Sequence, residues 1–121
     1  MEAAATPPGA PGNLPPLRAY GDWSPAETAA DSLGRIGATA VPRLLESLRS
    51  PNPQLRWQAT RVLGRIGPDA ATAVPELVRL LSDEDPRVRL AAARALGQIG
   101  PNAASSVPAL IRMLEESAGN P

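Results

Sequence analysis

The chain has 121 residues, and its twelve acidic and twelve basic side chains give a formal net charge of zero. A neutral chain has no overall field that would draw it to nucleic acid or to an anionic membrane. The absence of Cys and His excludes disulfides and thiolate metal sites, and it removes the commonest general base. With two Trp, one Tyr and no Phe, the core must come from aliphatic residues and Ala, which favours packed helices over a β-sandwich.

The first 20 residues are rich in Pro and Gly and show no periodic apolar pattern, which predicts a disordered tail over 1–20. They also lack the basic and apolar regions of a signal peptide, and no apolar run approaches the roughly 18 residues of a membrane span. We therefore expect a cytoplasmic protein with a folded domain over 21–117 and a disordered end over 118–121. Leu17, Tyr20 and Trp23 are expected to cover the first helix as a cap.

Ser24-Pro25-Ala26-Glu27 is a capping box, in which Ser24 caps a helix over 24–35 and Glu27 reaches back to the cap N–H. Asn52-Pro53 and Asp85-Pro86 begin two further helices over 52–66 and 85–99. Gly37, Gly67 and Gly100 end the three helices, which we call the B helices.

Three other helices, the A helices, are predicted at 39–49, 72–82 and 105–116. Their apolar residues follow i, i+3, i+4, i+7, as in Val74, Leu77, Val78 and Leu81. Thr39, Thr72 and Ser105 are candidate caps, although each A helix could instead begin one or two residues later.

A fixed period relates these segments. Leu33-Gly34-Arg35-Ile36-Gly37 recurs at 63–67 and as Leu-Gly-Gln-Ile-Gly at 96–100, and Val41, Val74 and Val107 are each 33 residues apart. Self-similarity of this length predicts an all-α repeat solenoid of about six helices. Solenoids present an extended surface rather than a closed catalytic pocket.

The residues resemble HEAT repeats, in the bacterial HEAT-like variety of the phycobilisome lyase type. The resemblance is carried by Asp85-Pro86-Arg87-Val88-Arg89, followed by Ala92 and Ala95-Leu96-Gly97, and less fully by the segment from Asn52 to Gly64. It implies a right-handed α-solenoid whose B helices line the concave face. It also implies that Arg56 and Arg89 bond acidic or backbone groups of a neighbouring turn, such as Asp83 or Asp85, although they could instead bind an anion.

Gly34, Gly64 and Gly97 stand in the last turn of each B helix, where Gly costs about 1 kcal/mol relative to Ala. Close approach of helices or an early helix end would explain them.

The side of the B helices opposite the apolar stripe contains the candidate binding site. Aligned positions form the columns Glu27/Trp57/Leu90, Asp31/Arg61/Arg94 and Arg35/Arg65/Gln98. Trp and Arg are the residues that dominate protein-binding hot spots. The candidate partner-binding residues are Trp57, Arg61, Arg65, Leu90, Arg94 and Gln98. Alternatively, Trp57 packs between repeats and the Arg side chains form a solvated face that pairs with Asp31.

The sequence thus predicts a non-catalytic scaffold or adaptor that binds a protein partner, such as an acidic segment, without a cofactor or metal. The alternative is an accessory subunit or fragment of an enzyme system, for example a chromophore-lyase partner. The C-terminal edge is expected to stay partly apolar, so it could dock a partner or support self-association. Binding of nucleic acid is disfavoured because the net charge is zero and there is no Lys.

Overall fold

The described part of the computed structural model is Pro16 and residues 24–119, and every regular element in it is helical. The predicted tail, its boundary at residue 21, the proposed cap of Leu17, Tyr20 and Trp23, and residues 120–121 lie outside the described residues, apart from Pro16. The α-helices are α1 (Pro25–Ile36), α2 (Val41–Ser47), α3 (Pro53–Ile66), α4 (Val74–Leu80), α5 (Pro86–Ile99) and α6 (Val107–Ser117).

The B helices α1, α3 and α5 begin and end within one residue of the predicted bounds. Ser24, Asn52 and Asp85 each accept a hydrogen bond from a backbone N–H of the first turn. At the other end of α3, Gly67 has a φ of 77°, a conformation that favours Gly because it has no Cβ. These termini depend on local side-chain chemistry, which explains why they could be predicted.

The A helices begin two residues after 39, 72 and 105, which confirms the alternative of a later start, and the candidate caps Thr39, Thr72 and Ser105 are wrong. 3₁₀ helices over Gly37–Ala40, Gly67–Ala73 and Gly100–Ser106 run directly into α2, α4 and α6. The N–H of Val74 therefore donates to the carbonyl of Ala71, within the preceding 3₁₀ helix. Because carbonyl groups of the 3₁₀ helix accept hydrogen bonds at the start of the α-helix, a side-chain cap is not needed there.

The helices stack in two layers. In one layer α1 packs on α3 and α3 packs on α5, and in the other α2, α4 and the 3₁₀ helices follow one another. The core between the layers is aliphatic, and its fully buried large side chains are Leu48, Leu63, Leu77, Leu80, Val88, Leu96 and Ile99. The protein is therefore all-α and solenoid-like, and no helix of its described part is long and apolar enough to cross a membrane.

The last helix leaves much of its apolar stripe exposed. Val107 and Ile111 are about half exposed, and Leu114 is 70% exposed. Within the described residues no B helix follows α6 to cover them, so the edge is apolar as the sequence predicted. Leu55, in the first turn of α3, is also 44% exposed.

Candidate protein-binding groove

The six candidate residues come together in one groove between α3 and α5, with a volume of about 420 Å³. We call it the α3–α5 groove. Its lining consists of Trp57, Arg61, Arg65, Arg87, Leu90, Ala91, Arg94 and Gln98.

Helical periodicity explains this grouping. On α3, Trp57, Arg61 and Arg65 are four residues apart and share one side of the helix. Arg87 and Ala91 belong to the groove but were missed by the column alignment. With them the lining of α5 consists of positions 87, 90, 91, 94 and 98, an i, i+3, i+4, i+7, i+11 series that could have identified them.

The indole of Trp57 is partly buried and packs against the core, while its other side lines the groove. The guanidinium carbon of Arg61 lies 4.8 Å from the centroid of the Trp57 ring, which is a cation–π contact. The sequence left two alternatives for Trp57, exposure in a binding site or packing between repeats. The structure combines them, because the side chain packs against the core and also lines the groove. The cation–π contact favours the orientation that the indole has in the structure.

Arg61 and Arg65 pair with Glu27 of α1, rather than with Asp31. Glu27 Oε2 accepts from Arg61 Nη1 at 2.8 Å, and Glu27 Oε1 accepts from Arg65 Nη2 at 3.0 Å. Asp31 instead pairs with Arg35 on its own helix, at 3.1 Å. The Ser24 hydroxyl accepts from the Glu27 N–H as the capping box predicts, while the Glu27 carboxylate bonds two guanidinium groups of α3.

This ion-pair cluster lowers the pKa of Glu27 from 4.5 to about 2, mainly through its hydrogen bonds to Arg61 and then to Arg65. Because the folded pKa lies below the ordinary value, the ionised carboxylate stabilises the fold. That stabilisation is fully present above about pH 4.5, and it is lost as the pH falls toward 2.

We expect Glu27→Gln to melt at a lower temperature than the wild type at neutral pH, with the difference shrinking as the pH falls from 4.5 toward 2. Thermal unfolding followed by circular dichroism at a series of pH values would measure it. In an Arg61→Gln/Arg65→Gln background the effect of Glu27→Gln should largely vanish. A difference that stayed constant down to pH 2.5 would contradict the ion-pair explanation.

The α5 side of the groove has fewer charge partners. Leu90 is 63% exposed, and Arg94 and Gln98 are exposed as well. Arg87 pairs with Asp85 at 3.1 Å, whereas no ion pair joins Arg94 to any other described residue. The groove therefore has an apolar wall beside a cation without a counter-charge in that part of the chain.

Arg56 and Arg89 lie outside the groove and have the structural role that the sequence favoured. Arg56 forms a two-pronged bond with Asp83, from Nε at 3.0 Å and from Nη2 at 3.1 Å, and its Nη1 donates to the carbonyl of Ser50. Arg89 donates to the carbonyl oxygens of Asp83 and Glu84. Both therefore tie a helix to an inter-helix turn.

Comparison with known proteins agrees with this architecture. A family model described as HEAT repeats matches residues 11–74 and again residues 41–120, which together cover most of the chain. A comparison with curated proteins gave no match. The two-layer stack of helices and the breadth of the family match lead to one conclusion: this chain belongs to the HEAT repeat family.

Proposed function

We propose that the protein is a non-catalytic adaptor or scaffold that binds a segment of a protein partner in the α3–α5 groove. HEAT repeats typically mediate protein–protein interaction, which supports a protein partner in general. The observation that carries the specific proposal is the lining of the groove, where an oriented Trp stands beside an exposed Leu and several Arg side chains. Central aromatic and Arg residues dominate binding energy in protein interfaces.

The dimensions of the groove also favour a peptide segment. A volume of about 420 Å³ accommodates a few side chains of a bound segment and is small for a folded partner to enter. We propose that the array is a right-handed solenoid of about six helices, and that the groove lies on its concave face. The cytoplasmic location expected from the sequence stays a prediction.

Catalysis is not part of the proposal. The chain has neither His nor Cys, and no group of three acidic side chains among the described residues could hold a metal ion. The Arg side chains of the groove are suited to binding anions, and none of them is placed as a general acid or base.

We expect Trp57→Ala to weaken partner binding about 30-fold, the usual effect of removing a hot-spot aromatic residue. The measurement is a pull-down with quantified bound proteins, followed by the affinity of the partner found. Because Trp57 also touches the core, Leu90→Asp serves as a second variant, since its side chain is 63% exposed. Arg79→Ala, on the opposite layer, is the matched control, and circular dichroism should show unchanged helicity in all three.

A partner that is retained equally by the wild type, Trp57→Ala and Leu90→Asp would refute the groove as the binding site. The salt dependence of binding separates a protein partner from nucleic acid, for which affinity falls steeply between low and moderate salt.

A second candidate function is favoured by the exposed apolar edge of α6. We propose as the alternative an accessory subunit of an enzyme system, such as a chromophore-lyase partner, that docks through Val107, Ile111 and Leu114. Binding would then be lost in Leu114→Asp and unaffected by Trp57→Ala. The same edge would account for self-association if the protein forms oligomers.

A further inference from the structure

The chain contains its own example of how this surface binds a carboxylate. Glu27 on α1 places its carboxylate against Arg61 and Arg65 of the next B helix, α3. Hydrogen bonds between charged partners are among the strongest that proteins form. In the α1–α3 pair, an acidic side chain of α1 is thus bound by two Arg side chains of α3.

The same positions recur one repeat later without the acid. Arg94 and Gln98 on α5 align with Arg61 and Arg65 on α3, 33 residues earlier. The position of Glu27, however, is occupied on α3 by Trp57. Arg94 therefore shares the groove with Trp57, whereas its counterpart Arg61 bonds the carboxylate of Glu27.

The charges along the groove direct a ligand to this place. Glu27 offsets one of the two charges of Arg61 and Arg65, and Asp85 offsets that of Arg87. Arg94 retains a full positive charge with no counter-charge among the described residues. One carboxylate of a ligand matches the guanidinium of Arg94 and the neighbouring amide of Gln98.

The apolar part of the groove lining would select for an apolar side chain in the ligand. Leu90 is one helical turn before Arg94, it is 63% exposed, and it lines the groove together with Trp57 and Ala91. An apolar side chain of the ligand would cover this wall while an adjacent carboxylate reached Arg94. Burial of that apolar surface would add to the affinity.

We propose that the α3–α5 groove recognises an extended peptide that places an apolar side chain on Leu90 and one Asp, Glu or C-terminal carboxylate on Arg94 and Gln98. The inference rests on the proposed function, because it names the chemistry of the segment that the groove binds. It assigns Arg94 as the residue that determines acid specificity, because Arg61 and Arg65 already share the carboxylate of Glu27 whereas Arg94 has no ion pair among the described residues.

Selection from a random peptide library displayed on phage tests the proposal on the full chain. Peptides retained by the wild type and lost with Trp57→Ala should be enriched in an apolar residue close to Asp or Glu. Synthetic copies of one such peptide, with its acidic residue kept or replaced by the uncharged amide, then give the carboxylate preference directly. We expect the wild type to prefer the acidic peptide about tenfold, as for a hydrogen bond to a charged group.

Arg94→Gln should reduce this preference to less than about twofold without weakening the amide peptide, because only a charge-assisted bond is lost. Arg112→Gln is the matched control, since Arg112 is an exposed Arg of α6 that does not line the groove. It should keep the wild-type preference.

The outcomes separate the two proposals. Peptides that need Trp57 but show no acidic preference, or a preference that survives Arg94→Gln, would overturn this inference and leave the proposed function standing. If no selected peptide depended on Trp57 or Leu90, the groove would not be the binding site, and both proposals would fall.

Discussion

Replacing Arg56 by Leu is expected to lower the free energy of unfolding by about 3 kcal/mol, because it leaves a buried carboxylate without its partner. The side chains of Arg56 and Asp83 are each only 9% exposed. Their two-pronged bond joins α3 to the turn that begins the next repeat. For a domain of about 100 residues, a loss of this size lowers the melting temperature by roughly 12–20 °C.

Arg79→Leu is the matched control for this experiment. Arg79 also pairs with a carboxylate, that of Glu76 at 2.8 Å, but its side chain is 57% exposed. Ion pairs at the surface contribute about 0–1 kcal/mol, so its loss should be small. Chemical denaturation of the two variants and of Arg56→Leu/Asp83→Leu would measure the difference, with partial recovery expected in the double variant. Equal destabilisation by Arg56→Leu and Arg79→Leu would show that burial of the pair is unimportant.

Gly64→Val is expected to lower the free energy of unfolding by about 2 kcal/mol, because it over-packs the contact between α3 and α5. A Cβ placed on Gly64 would overlap Gln98 Oε1 and would come within 3.1 Å of the Ala95 Cα. The Gln98 side chain can move, but the α5 backbone can yield only if the two helices separate. Since Gln98 lines the groove, the substitution should also weaken ligand binding.

Gly97→Val is the control, because Gly97 has the same repeat position on α5. No atom of its described neighbours lies within 4 Å of a Cβ built there. Val has a slightly higher helix propensity than Gly, so Gly97→Val should be neutral or stabilise by a few tenths of a kcal/mol. Equilibrium unfolding of both variants by denaturant gives the comparison. A Gly64→Val protein as stable as Gly97→Val would disprove the close approach of α3 and α5.

These two glycines show the difference between a sequence pattern and a contact. Gly34, Gly64 and Gly97 are identical in the repeat, and the sequence left open whether they mark close packing or an early helix end. The helices continue to Ile36, Ile66 and Ile99, so an early end is wrong. Close packing holds for Gly64 and Gly34, where a Cβ would meet Ala95 and Arg65, but it does not hold for Gly97 within the described residues.

The groove was largely predictable because it depends on two periods that can be counted along the chain. The repeat of 33 residues aligns α3 with α5, and the helical period places every fourth residue on one side. Together these two periods identified the six candidate residues, and all six line the groove. Their role in binding stays a prediction until the variants above are measured.

The partner of Arg61 was not predictable in the same way. Column alignment places Asp31 level with Arg61, which suggested that the two would pair. Side chains of a helix tilt toward its N-terminus, however, so a long Arg on α3 reaches the level of a residue one turn earlier on its neighbour. On α1 that residue is Glu27, and its carboxylate accepts from both Arg61 and Arg65.

The sequence by itself determined the repeat, the bounds of the B helices and the aliphatic core, since these follow from caps, glycines and periodic apolar residues that act locally. Only the tertiary structure decided which carboxylate meets which guanidinium, which glycine lies against a backbone, and where the A helices begin. Those features depend on the distance and offset between neighbouring helices, and repeats with the same residues have different neighbours. Arg61 and Arg94 are one example, because Glu27 bonds Arg61 while Trp57 occupies the corresponding position relative to Arg94. This difference between the two neighbours is the physical basis of the binding site proposed for this protein.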